Sequence, residues 1–173
     1  MGTSATIDEA SETADSPSGV HDFDFYMGKW QVHHRRLKDR LVGSTEWQEF
    51  EGTSTAWPIL DGAGNIDDNV LELPDSTYRA VSLRAFDPTS QTWSIWWLDG
   101  RYPHNPLDPP VKGRFVDGIG TFLAEDAHQG QPIIVRFLWS NITADTCRWE
   151  QAFSTDGGET WESNWVMEST RLA

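Results

Sequence analysis

His21-Asp22-Phe23-Asp24-Phe25-Tyr26-Met27-Gly28-Lys29-Trp30 is the stretch on which the fold turns. Aromatic residues crowd ahead of Gly28, Trp30 follows two positions later, and a strand-like run begins at Lys29. A glycine two residues before a strand-opening tryptophan lets the backbone bend tightly while the indole turns inward. Such a plug is what the floor of a small β-barrel requires. Residues 21–27 are therefore expected as a short helical turn closing one barrel end.

Downstream of the plug, Lys29 to Arg40 reads as the first strand. Alternation puts Trp30, Val32, His34 and Arg36 on one face, so if the indole points inward, His34 and Arg36 do too. Glu46 to Leu60 reads as a second strand with a bend or bulge at Gly52. Ile66–Leu73, Ser76–Phe86 and Trp93–Leu98 follow, separated by turn-forming clusters such as Asp87-Pro88-Thr89-Ser90-Gln91. Residues 99–110 hold four of the nine prolines. No regular element fits there, and an irregular segment of that length suits a barrel mouth. Val111–Val116, Gly120–Glu125, Ile133–Ser140, Arg148–Phe153 and Thr160–Leu172 complete about ten short strands. The fold class is all-β: one up-and-down antiparallel barrel, because an open sheet of that width would leave exposed edges.

Upstream, residues 1–20 are Ser-, Thr-, Ala-, Asp- and Glu-rich with no apolar period, and are expected as a disordered acidic tail before a barrel domain over 21–173. The chain has 173 residues with 13 Lys and Arg against 27 Asp and Glu, a net charge of −14. That balance makes nucleic acid an improbable partner. No apolar run reaches membrane-span length and the N-terminus lacks a signal-type apolar region. The single Cys147 excludes an internal disulfide and fits a reducing compartment. The expected location is the cytoplasm, away from any membrane. Ten tryptophans exceed what a core of this size needs, which points to an aromatic-lined cavity, although dense packing of large side chains would also use them.

Gly28-Lys29-Trp30 at the first strand and Arg171 at the end of the last resemble the calycin superfamily, the lipocalins and fatty-acid-binding proteins. Trp93-Ser94-Ile95-Trp96-Trp97, Arg148-Trp149-Glu150-Gln151 and Asn164-Trp165-Val166-Met167 are similar to its bacterial lipocalin-like domains in particular. The resemblance covers residues 21–172. It implies an arginine of the closing strand packed over the tryptophan, here Arg171 on Trp30, as a structural lock. It also implies a barrel holding a small hydrophobic molecule, and no particular reaction.

Several motifs weigh against chemistry. Ser154-Thr155-Asp156-Gly157-Gly158-Glu159-Thr160-Trp161 matches the Asp-box of sialidase propellers, but a single copy cannot make a propeller and reads as a hairpin turn. His33 and His34 are adjacent on a strand and face opposite sides, so they cannot chelate one ion together, and His21, His104 and His128 lie in separate segments. No metal or cofactor is expected. Cys147 has no histidine near it in sequence and reads as a buried thiol.

The residues favoured for ligand contact are Arg84, Trp97, His104, Trp139, Trp149, Gln151 and Trp165. The tryptophans supply stacking surface, Arg36 and Arg84 meet an acidic group, and His104 sits at the mouth. The expected partner is a small, largely apolar ligand, aromatic or carboxylate-bearing. An enzyme reading, a lyase, isomerase or cyclase, keeps His34 as the catalytic proton-transfer group with Arg36 stabilising charge. A structural or interaction module is the third reading, with homodimerisation as its sign.

Overall fold

The computed structural model describes residues 19–173, so the tail read over residues 1–20 lies outside the described residues except for Gly19 and Val20. Ten antiparallel strands form a closed barrel: β1 (Gly28–Leu37), β2 (Trp47–Ile59), β3 (Gly64–Leu73), β4 (Ser76–Asp87), β5 (Thr92–Asp99), β6 (Val111–Val116), β7 (Ile119–His128), β8 (Gln131–Ser140), β9 (Thr146–Ser154) and β10 (Glu162–Arg171). Each strand pairs with its neighbours in sequence, and β1 pairs with β10 to close the cylinder. Closure removes the edges that an open sheet would present.

Two single-turn 3₁₀ helices, Gly19–His21 and Asp24–Tyr26, make the plug. They carry Phe23 and Tyr26 into the barrel, both buried. Phe23 meets Trp93, Phe115 and Trp139 edge to face at 5.1, 5.0 and 5.7 Å, and Trp93 Nε1 donates to the Gly19 carbonyl at 2.9 Å. Edge-to-face contact of this kind adds to the apolar burial of the rings. Gly28 follows with φ +115°, a conformation that side chains rarely adopt, and a Cβ there would lie 2.9 Å from Arg171 Nη1. The glycine thus serves the turn and the approach of the closing arginine together.

The guanidinium of Arg171 sits 4.2 Å above the Trp30 ring and donates to the carbonyls of Phe25, Met27 and Ala144 at 2.5, 2.6 and 2.7 Å. Trp30 Nε1 donates to the Tyr26 carbonyl at 2.8 Å, and Trp30 and Arg171 are direct cross-strand partners. One contact ties plug, first strand and last strand together.

Gly52 is not a bulge: β2 keeps its register against both β1 and β3 through that residue. The glycine is there for space, since a Cβ would lie 2.5 Å from the Val70 carbonyl oxygen and 2.9 Å from His34 Nε2. The irregularity sits in β10, where register shifts between Ser163 and Trp165. The extra residue, Asn164, is fully buried and its Oδ1 accepts from Gln151 Nε2 at 2.8 Å. The first strand ends at Leu37, short of Arg40. Pairing is thinnest between β5 and β6, with three residue pairs from Trp93↔Gly113 to Ile95↔Val111.

The segment Ser154–Trp161 is the β9–β10 hairpin turn. Asp156 Oδ1 accepts from the Thr160 amide at 2.9 Å and from the Ser154 hydroxyl at 2.7 Å, and Trp161 Nε1 donates to the Gly158 carbonyl at 3.0 Å. These bonds hold the Asp156 carboxyl well below the usual carboxylate range, the Thr160 hydroxyl contributing most.

Candidate functional site

The barrel is hollow above its plug. A cavity of about 290 Å³ runs from the plug to the opposite rim, at the lower limit of the roughly 300–1,000 Å³ typical of small-molecule sites. Its residues fall into a wall, a floor and a mouth.

The aromatic wall consists of Trp97 on β5, Phe137 and Trp139 on β8, Trp149 on β9 and Trp165 on β10. Trp149 stands perpendicular to Phe137 and Trp165, at 4.8 and 5.7 Å, and Trp97 perpendicular to Trp165 at 6.0 Å. Aliphatic residues of β5, β6 and β8, among them Ile95, Val111, Ile133 and Val135, complete this lining. Of the remaining tryptophans, Trp30 and Trp93 pack the core, while Trp57 is exposed on the outside. The two uses of tryptophan foreseen from composition, cavity wall and dense packing, both occur.

The floor is polar and lies on β3 and β4. Arg84 Nη2 pairs with Asp67 Oδ2 at 2.6 Å, and Arg84 Nη1 donates to Asn65 Oδ1 at 2.9 Å. Both members of the ion pair are buried. Asp67 Oδ1 also accepts from the Ser82 amide at 3.2 Å and from Asn69 Nδ2. Tyr26 rises from the plug beneath them, its hydroxyl donating to Ser54 at 3.2 Å, and burial followed by the Asp67 charge raises its pKa. The guanidinium carbon of Arg84 lies 5.0, 5.3 and 5.5 Å from the ring centres of Phe23, Tyr26 and Trp139. Arg84 Nε and Trp139 Nε1 are buried without a hydrogen-bond partner among the described residues. A buried N–H left unpaired costs about 1–3 kcal/mol.

At the mouth stand Arg40, Asp108, Pro109, Asp126 and His128. Burial, and then repulsion from Asp126, raises the Asp108 carboxyl pKa. Arg40 lies over the Phe153 ring at 5.6 Å, and burial followed by the Arg36 charge lowers its pKa.

Of the residues singled out from sequence, Arg84, Trp97, Trp139, Trp149, Gln151 and Trp165 line this cavity. His104 is exposed in the proline-rich loop and does not line it; Asp108 and Pro109 turn in from that loop instead. Arg84 is engaged by Asp67, so it does not stand as a free cation waiting for an acidic ligand.

His34 and Arg36 face inward yet do not line the cavity. His34 is buried behind Trp165, whose Nε1 donates to His34 Nδ1 at 3.2 Å, which leaves the imidazole proton on Nε2. Its ring stacks on Phe50 at 4.6 Å. Burial, and then the Arg36 charge, pulls the His34 pKa down to about 3. Arg36 lies over the Phe50 and Trp165 rings at 5.4 and 5.2 Å, in a separate groove near the rim. Cys147 is buried, and burial pushes its thiol up to about 12.

The site residues not foreseen are Tyr26, Asp67, Asn69 and Ser82 on the floor and Arg40, Asp108, Asp126 and His128 at the mouth. A signal for the floor was present: Asn65, Asp67 and Asn69 alternate onto one face of β3. The short Leu73–Ser76 turn sets Asn65 opposite Arg84 and Asp67 diagonal to it.

No family model and no curated protein sequence matches the chain. Among solved structures, the S-type phycobiliprotein lyase CPES from Guillardia theta is similar, with a TM-score of 0.60 over 90% of this chain and 93% of that one, at 9% identity. At that identity the likeness is one of fold.

Proposed function

We propose that the protein binds one small, largely apolar aromatic molecule inside the barrel. The observation that carries this reading is the lumen itself: about 290 Å³ left open between four tryptophans and a polar floor, in a barrel that could have filled it with side chains. The Trp30–Arg171 lock supports assignment to the calycin type. The likeness in fold to a phycobiliprotein lyase is consistent with a barrel that handles a small molecule.

In this reading His34 is a positioning residue. A neutral imidazole that accepts from the Trp165 indole fixes that ring's orientation, and the ring forms the wall. His34 has no face on the lumen from which to move a proton of the guest, which disfavours the lyase, isomerase or cyclase alternative built on His34 and Arg36.

Titration with N-phenyl-1-naphthylamine tests the proposal. Its emission should rise and shift to the blue with one site per chain. Ala124 lines the lumen; Ala124→Phe would put a ring into it and should abolish the signal while leaving the thermal transition cooperative. An absent signal in the wild type, or an equal one in Ala124→Phe, rejects the lumen as a binding site. Native mass spectrometry of freshly purified protein, with an absorbance scan, would identify a guest that co-purifies.

A further inference from the structure

Resting on the reading that the lumen takes an aromatic guest, we propose that the guest carries a neutral hydroxyl or N–H group at its edge and donates it to the side-chain oxygen of Gln151. Gln151 stands in the middle of the aromatic wall: its cross-strand partners are Phe137 on β8 and Trp165 on β10, and Trp149 precedes it by two residues on the same face of β9. All four residues line the cavity. Trp149 and Phe153, its neighbours along that face, are buried, whereas Gln151 keeps partial exposure. On the inner face of a closed barrel, that exposure opens to the lumen.

The amide of Gln151 is oriented from behind. Asn164, the fully buried residue at the register shift of β10, donates from Nδ2 to the Glu162 carbonyl at 3.4 Å. A carbonyl only accepts, so Asn164 turns its Oδ1 towards Gln151 and receives Gln151 Nε2 at 2.8 Å. The nitrogen of Gln151 is thereby committed to the wall. Its Oε1 is left as the free end, without a partner among the described residues, and it is not sealed off as Arg84 Nε and Trp139 Nε1 are. Asn69 repeats the pattern at the floor: its Nδ2 donates to Asp67 Oδ1 and to the Ala80 carbonyl at 3.2 Å, which leaves its oxygen over. Two lumen-lining amides spend their donors on the protein and keep their acceptors for a guest.

An apolar edge laid over Gln151 Oε1 would strip that oxygen of water and put nothing in its place, whereas an O–H or N–H replaces the lost bond. The charges agree. Among the cavity-lining residues, three aspartates (Asp67, Asp108, Asp126) stand against two arginines (Arg40, Arg84), which favours the positive hydrogen of a neutral donor over an anionic group.

Isothermal titration of the wild-type protein with 2-naphthol, 2-methoxynaphthalene and 2-naphthoate tests this, because methylation removes the donor and keeps the oxygen and the rings. The naphthol should bind about tenfold more tightly than its methyl ether, and more tightly than the carboxylate. In Gln151→Met and Gln151→Leu, which remove the amide and keep most of its volume, that preference should fall below about threefold. In the wild type, the side-chain carbonyl carbon resonance of Gln151 should move downfield with the naphthol and stay in place with the ether.

Equal affinity for naphthol and ether, or tighter binding of the ether, would overturn the donor requirement while leaving the lumen as a binding site. Tightest binding of 2-naphthoate would overturn it in favour of an ionic anchor. A preference that persists undiminished in the variants, or a Gln151 resonance that does not respond to the naphthol, would overturn the assignment to this residue. Failure of all three compounds to bind would overturn both the donor requirement and the binding reading.

Discussion

At the scale of the residue, the fate of His34 shows why facing inward is not the same as facing a cavity. Alternation along β1 does put Trp30, Val32 and His34 on the inner side, all three buried. What alternation does not give is height along the barrel axis or the identity of the layer in front. Trp30 lies at the plug, Arg36 near the rim, and His34 between them with Trp165 as its screen. Its depressed pKa has a testable consequence. The unfolded chain takes up a proton near pH 6.5, whereas the folded one resists until about pH 3. Stability attributable to this group is complete above pH 6.5 and declines as pH falls through that interval. Urea titrations should show the wild type losing about 2 kcal/mol more than His34→Gln between pH 7 and pH 5. Parallel losses in the two proteins would show that the imidazole is not held neutral.

Among the elements, the strand pattern was readable because turns announce themselves through Gly, Asp and Pro and because one face of each strand is apolar. Register was harder. Gly52 has the composition of a bulge, but its lack of a side chain serves the close passage of the Val70 carbonyl and His34. Asn164, the residue that does break register, carries no such mark in sequence. The proline-rich segment was legible as a mouth, yet composition could not say that Asp108 and Pro109 turn in while His104 turns out. The same segment spans the gap left where β6 pairs with β5 over three residue pairs only. Opening free energy follows local pairing, so amides of β6 should exchange with deuterium faster than those of β7 and β8, whose pairing runs without a break from Gly120↔Trp139 to His128↔Gln131. Uniform protection around the barrel would contradict a weak flank beneath the mouth.

For the whole molecule, the polar floor on β3–β4 and most of the aromatic wall, on β8–β10 with Trp97 of β5 as the exception, lie on different parts of the cylinder, and closure brings them around one lumen. Closure depends on Arg171, whose donors answer carbonyls from the plug and from the β8–β9 connection. Removing a charged hydrogen-bond donor costs roughly 1.5–3 kcal/mol. Arg171→Ala should therefore lower the unfolding free energy obtained from urea titration by that amount and weaken N-phenyl-1-naphthylamine binding. An unfolding free energy within about 0.5 kcal/mol of the wild type would mean that backbone pairing of β1 with β10 suffices on its own.

The seam between β1 and β10 also sets an order of events during synthesis. Each intermediate strand can pair with its predecessor as it leaves the ribosome, but the outer edge of β1 stays bare until β10 is made, roughly 130 residues later. Until then the nascent polypeptide offers a complete, uncapped row of amides and carbonyls, and the Trp30 indole lacks its cover. This one interval, ended by the arrival of a single guanidinium, is when the protein most needs protection from pairing with other chains.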